Sequence, residues 1–137
     1  MTTVTTVTKP VQQASDLSGP FWDAAARGKL VLQCCSTCGK LRHYPRLLCD
    51  GCYSDVAHWT AASGRGNVHS WTVAHHAFHP AFAAELPYVL VTVDLEEGLR
   101  ALGRWRSTCE PAVGLAVQGS FETRAGGVDL VFQDRPD

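Results

Sequence analysis

Between residues 88 and 95, Val89, Val91, Val93 and Leu95 fall on one side of an extended chain, and Tyr88, Leu90 and Thr92 on the other. A strand with one wet face alternates apolar with polar residues. Here both faces are fairly apolar, which predicts a barrel-wall strand over 87–95 with something packed against its outer side. The segment GNVHSWTVAH, residues 66–75, is rich in β-branched and aromatic residues and predicts a strand before it. After the turn Glu96-Glu97-Gly98, LRALGRW at 99–105 answers as the second arm of a hairpin. Residues 115–122 alternate Leu115, Val117, Gly119 and Phe121, and VDLVFQ at 128–133 follows the turn Arg124–Gly127. These five strands have a break at Pro111–Gly114, between the third and the fourth. That arrangement predicts a small closed barrel of the OB type, with Gly103 and Gly119 as its bends. An immunoglobulin-like sandwich would need about seven strands.

The first part of the chain reads differently. Residues 1–17 are polar and rich in Thr, Val and Gln, a flexible lead-in or an arm that docks on a partner. Ser18-Gly19-Pro20 opens a helix over 19–27, with Phe21, Trp22, Ala25 and Ala26 on one face and Gly28 as its end. LVLQ at 30–33 is a strand that runs into a cysteine-rich stretch. The predicted organisation is a lead-in at 1–17, a helix with a metal module at 18–60, and the barrel at 61–137.

Five of the six cysteines lie between residues 34 and 52. Cys35 and Cys38 form one CxxC, and Cys49 and Cys52 a second. A CxxC turn puts two thiolates on one side of a tetrahedron, and two facing turns close it around zinc. Gly39 follows the first pair, where a knuckle needs a positive φ. KLRHYPRLL between the pairs suits a short hairpin. Together these residues read as a zinc ribbon, with iron in the same four thiolates as the chemical alternative. Cys34 could replace Cys35 as a ligand; two equal CxxC turns favour Cys35. A closed four-thiolate site has no position for substrate, so it holds the fold and performs no chemistry. Cys109 has no histidine near it in sequence and reads as structural or incidental.

Composition narrows the function classes. The chain has 137 residues, 45% hydrophobic and 18% charged, with a formal net charge of −1. This is a globular composition with no charge excess to hold a nucleic-acid backbone. No apolar run of about 18 residues is present, and the first residues lack the basic and apolar regions of a secretory signal. The expected location is cytoplasmic, where thiols stay reduced.

The loop HHAFHPAFAAELPY, residues 75–88, is long for a compact barrel and rich in His and Phe. His75, His76, Phe78, His79, Phe82 and Tyr88 are the candidate contacts to a substrate or partner. A second metal at His75 and His79 is disfavoured, because Pro80 and the preceding strand argue against the helix that i, i+4 ligation needs. There is no GxSxG motif and no local nucleophile–base pair. Arg100, Arg104 and Arg106 share one strand parity and could meet a phosphate, although a solvated face is the simpler reading.

The order of parts resembles a family of small proteins with an N-terminal helix, a rubredoxin-like zinc ribbon and a C-terminal OB-fold that accompany acyl-CoA enzymes. The resemblance rests on PFWDAAARGKLVLQ, CSTCGKLRHYPRLLCDGC, SGRGNVHSWTVAHH, LPYVLVTVDLEEGLRALG, VGLAV at 113–117 and LVF at 130–132. The family often has two prolines after the knuckle; here the residues are Tyr44-Pro45-Arg46. The resemblance implies a mainly β fold with structural zinc and a non-catalytic subunit beside a thiolase-like or hydratase-like enzyme. The partner would perform thiolysis, acyl transfer or retro-aldol cleavage on acyl-CoA, as in steroid side-chain or aromatic degradation. This chain would stabilise it and line the substrate channel; a homodimeric thiolase flanked by two copies is the implied assembly. The rival is an OB-fold that binds single-stranded nucleic acid, with Trp71, Trp105 and Phe121 as stacking platforms.

Overall fold

The computed structural model describes residues 8–136. Residues 1–7 of the expected lead-in lie outside the described residues.

Helix α1, Gly19–Ala26, has Pro20 in its first turn, where a missing N–H costs nothing, and turns Phe21, Ala24 and Ala25 inward. A three-stranded sheet follows, ordered β2-β1-β3, from β1 Val31–Cys35, β2 Leu41–Arg42 and β3 Ala57–Ala61. Strand β1 carries this module, pairing with β2 on one side and along its whole length with β3 on the other. The stretch after the first knuckle is not a hairpin of its own. Only Leu41 and Arg42 are strand, and they pair back onto Cys34 and Gln33. Arg46 N–H donates to Gln33 Oε1, and Arg42 donates to the Arg46 carbonyl, so side chains rather than a ladder shape the loop.

Strands β4 Arg65–Ala74, β5 Tyr88–Leu95, β6 Arg100–Trp105, β7 Ala116–Arg124 and β8 Gly127–Asp134 close a barrel in the order β4-β5-β6-β8-β7. All neighbours are antiparallel except β6 and β8, which run parallel through Arg104↔Val131 and Trp105↔Phe132. Closure removes the exposed edges of an open sheet. This is the mainly β, helix-ribbon-barrel architecture that the pattern predicts.

Inside the barrel, Val68, Val91, Val93, Val117 and Phe132 are almost fully buried. Phe21, Leu30 and Leu32 join the same core cluster, so helix and ribbon sheet are packed onto the barrel. Gly103 and Gly119, expected as bends, also lie where a side chain would meet Phe132. A Cβ at Gly103 would lie 2.6 Å from the Phe132 ring, and one at Gly119 2.8 Å from it. Both glycines make room for that one ring.

The outer side of β5 is covered, as its double apolar pattern requires. Tyr88 and Leu90 face a groove beneath α1 and the ribbon loop. Residues 8–17 are fastened to the barrel at two points. Lys9 Nζ lies 2.9 Å from Glu85, and Gln12 Nε2 donates to the Val128 carbonyl at 2.7 Å.

Candidate functional site

The two knuckles are built alike. Gly39 N–H donates to the Cys35 carbonyl, and Tyr53 N–H to the Cys49 carbonyl, each at 2.9 Å. The residue after each pair takes a left-handed backbone: Gly39 has φ 79° and Tyr53 φ 64°. Glycine adopts this without strain, whereas Tyr53 must be held in it. Each turn also aims backbone N–H groups at sulfur. Cys38 N–H points to Cys35 Sγ at 3.5 Å and Gly51 N–H to Cys49 Sγ at 3.3 Å.

The four sulfurs of Cys35, Cys38, Cys49 and Cys52 lie within 4.8 Å of one another. Cys35 and Cys52 are 3.5 Å apart, and Cys38 and Cys49 3.6 Å apart. Tetrahedral zinc with bonds of about 2.3 Å sets its sulfurs ~3.8 Å apart. The donor set and its spacing therefore fit structural zinc. Cys34 is outside the group; its thiol points to the Gly39 carbonyl at 3.5 Å. Without metal the thiols share their protons unequally. The Cys38 N–H, above all, lowers Cys35 to about 6. Cys38 rises to about 12: the Lys40 N–H favours its thiolate, but neighbouring sulfur and burial outweigh it. A cation that accepts all four thiolates removes this conflict.

The loop between β4 and β5 contains a 3-10 turn, Pro80–Glu85, capped by His79, whose Nδ1 accepts the Ala81 N–H. His75 and His76 are exposed, and Phe78 is 92% exposed with the His76 ring against its edge. Phe82 and Tyr88 turn the other way. Their ring centroids are 6.2 Å apart, and both line the groove over β5 and β6. The six candidate residues thus divide three ways: His75, His76 and Phe78 face solvent, Phe82 and Tyr88 face the groove, and His79 caps the 3-10 turn. Among the described residues, the cysteine set is the one cluster with metal-ligand spacing.

Every arginine of the β6 series already has a carboxylate. Arg100 pairs with Asp94, Arg104 with Glu85 and Arg106 with Glu122, all within 3.0 Å. Of the three rings offered as stacking platforms, Trp105 is buried and donates to the Cys109 carbonyl, Phe121 packs beside Phe21, and only Trp71 is exposed. No helix among the described residues is long and apolar enough to cross a membrane.

Sequence reasoning missed two features. One is His43, whose ring nitrogens are both buried without a hydrogen-bond partner. The other is the apolar ribbon tip, where Leu47, Leu48 and Tyr53 are exposed. LRHYPRLL carries the signal for the second, because two adjacent leucines in a ten-residue loop between ligands have no core to enter.

Comparison with known proteins agrees with this anatomy. Residues 22–57 match the ChsH2 rubredoxin-like zinc ribbon domain, and residues 59–122 the ChsH2 C-terminal OB-fold domain. A chain of the solved Ltp2-ChsH2(DUF35) aldolase superposes with a TM-score of 0.81 at 32% identity, covering 90% of this chain and 98% of that one. The chain belongs to the ChsH2/DUF35 family. Within this family, the "Probable enoyl-CoA hydratase alpha subunit" of Thermomonospora curvata is 47% identical over 81 residues, 58% of this chain and 25% of that protein. The "3-oxo-4,17-pregnadiene-20-carboxyl-CoA hydratase alpha subunit" of Mycobacterium tuberculosis is 33% identical over 103 residues, 74% of this chain and 32% of that protein. The chain therefore spans a quarter to a third of these two relatives. Family membership makes the four-cysteine centre the structural zinc site of a rubredoxin-like ribbon.

Proposed function

We propose that this chain is a non-catalytic subunit of an acyl-CoA enzyme complex whose partner is thiolase-like or hydratase-like. The observation that carries this reading is the match to nearly the whole of one chain of the Ltp2-ChsH2(DUF35) aldolase, at a level of identity that speaks for more than fold. The names of the hydratase alpha subunits support an acyl-CoA substrate. The surface is compatible with a partner. Trp71 and Val73 share one face of β4 and are 40% and 42% exposed, and Phe78 in the loop that follows β4 is exposed as well. Exposed aromatic and aliphatic groups of this kind are typical of a surface that another protein covers. The zinc ribbon gives this subunit its shape, and the partner supplies the reacting groups. His75, His76 and Phe78 face the partner, and Phe82 and Tyr88 line the path of the acyl group.

Assaying the purified chain alone and with its co-purified partner tests this. The chain alone is expected to turn over no acyl-CoA by thiolysis, hydration or retro-aldol cleavage, and the complex to do so. Trp71→Ser with Phe78→Ser is expected to weaken the complex by tenfold or more while zinc content stays unchanged. Turnover by the isolated chain, or a complex indifferent to both substitutions, would remove this reading.

A further inference from the structure

The barrel closes through only the first half of β4. Strand β7 pairs with Arg65, Gly66 and Asn67, and the last bonds on that side join Val68 to Leu115 and Gly114, at 2.9 and 2.8 Å. Beyond a register shift between Val68 and Ser70, β4 continues to Ala74 against β5 alone.

The alternation of an antiparallel ladder says which backbone groups face away from β5. Leu95 N–H donates to the Leu99 carbonyl, toward β6, so Val93, Val91 and Val89 also turn their backbone groups toward β6. Their partners on β4 are Val68, Trp71 and Val73, which turn theirs away from β5. Val68 meets Leu115 and Gly114 there. Among the described residues, no backbone group bonds Trp71 or Val73 on that side. Their N–H and C=O groups form an open strand edge, along which Trp71, Thr72 and Val73 are all exposed. Donors and acceptors at strand spacing are matched by another extended chain.

Nothing in β4 discourages such a chain. Residues 66–76, GNVHSWTVAHH, contain no Lys, Arg, Asp, Glu or Pro, the residues that usually blunt an exposed edge. The side chains describe the occupant. Trp71 and Val73 stand opposite Val91 and Val89, on the face that forms the core elsewhere in the barrel, and Ser70 and Thr72 are on the other face. A strand added here places every second residue beside Trp71 and Val73 and extends the apolar inner face.

We propose that the partner enzyme adds a strand to β4 at this edge: an extended, uncharged segment, apolar at every second position, bonded to the backbone of Trp71 and Val73. This rests on the reading of the chain as a subunit of an acyl-CoA enzyme complex and says how the two are joined, by main-chain pairing as well as side-chain contact.

The test is amide exchange, resolved to single residues, on the full zinc-loaded chain when free and in the complex captured with it, whose second protein is identified by mass. In the free chain the Trp71 and Val73 amides are expected to exchange at least tenfold faster than that of Thr72, which faces Leu90 across the ladder, and in the complex to slow at least tenfold. Val73→Pro removes an N–H that β5 does not use, so the barrel is expected to fold and the complex to weaken at least tenfold, whereas Val73→Ala, which keeps the N–H, stays within about threefold. Exchange in the unsubstituted complex carries the test if Val73→Pro does not fold. An acyl-CoA enzyme held with both amides still exchanging fast, or held equally by folded Val73→Pro, overturns the added strand and leaves the subunit reading standing. Protection of the same amides in a homodimer of this chain overturns the assignment of the strand to the enzyme. Capture of no acyl-CoA enzyme overturns the subunit reading and, with it, the enzyme as donor of the strand.

Discussion

At Cys49 the backbone positions the sulfur as a ligand, with the Gly51 N–H aimed at it and the side chain almost fully buried. Cys49→Ser removes a thiolate from a closed set, and structural zinc supplies folding energy directly. Zinc content measured by mass spectrometry is expected to fall from one per chain to near zero, with loss of the ribbon's dispersed NMR signals. His43 makes a pH prediction. Its pKa is about 4 folded against about 6.5 in an unfolded chain. The unfolded state therefore binds more protons between these values. The stability is fully present above about pH 6.5 and declines as pH falls toward 4, by up to ~1.4 kcal/mol per unit. Urea unfolding at pH 7 and pH 5 is expected to show a smaller loss for His43→Leu than for the parent chain. The two residues differ in legibility for a physical reason. The zinc ligands declare themselves because their spacing is local. His43 acquires its character from Phe21, twenty-two positions earlier, and nothing in RHYPR marks that approach.

The elements show where a pattern suffices. Each barrel strand is legible because its inner face must be apolar, and observed ends fall within two residues of those expected. Strand β3 has no such pattern: AHWTA has no fully buried residue and is a strand because β1 offers it an edge. The role of Gly103 was also hidden, since it depends on Phe132 across the β6–β8 pairing. Gly103→Ala is expected to cost about 1–3 kcal/mol by overpacking, and Phe132→Leu in the same chain to relieve part of that strain. A double-mutant cycle of thermal unfolding checks this; additive losses would refute the shared-space explanation. At the loop, burial alone would raise the pKa of Glu85, but Lys9 and Arg104 outweigh it and hold the carboxyl below its usual range. Glu85→Gln leaves Arg104, only 11% exposed, without its carboxylate. That change is expected to destabilise by about 1–3 kcal/mol and to loosen residues 8–17, read by faster amide exchange there.

For the whole molecule, the fold class followed from the order of helix, paired CxxC turns and five strands. The seam between the modules did not, because it is made by residues far apart in sequence: Trp22, His43, Tyr88 and Leu102 meet only after folding. The exposed residues Trp71, Val73 and Phe78 likewise come from a strand and the loop after it. The central claim is that this surface belongs to a complex with an acyl-CoA enzyme. The most direct measurement is capture of the C-terminally tagged chain at native expression level, followed by native mass spectrometry of what accompanies it. A thiolase-like or hydratase-like protein present at near-equal amount, and retained in moderate salt, is the predicted result. Recovery of nucleic acid, or of ribosomal or transcription proteins, with no acyl-CoA enzyme present would contradict the account.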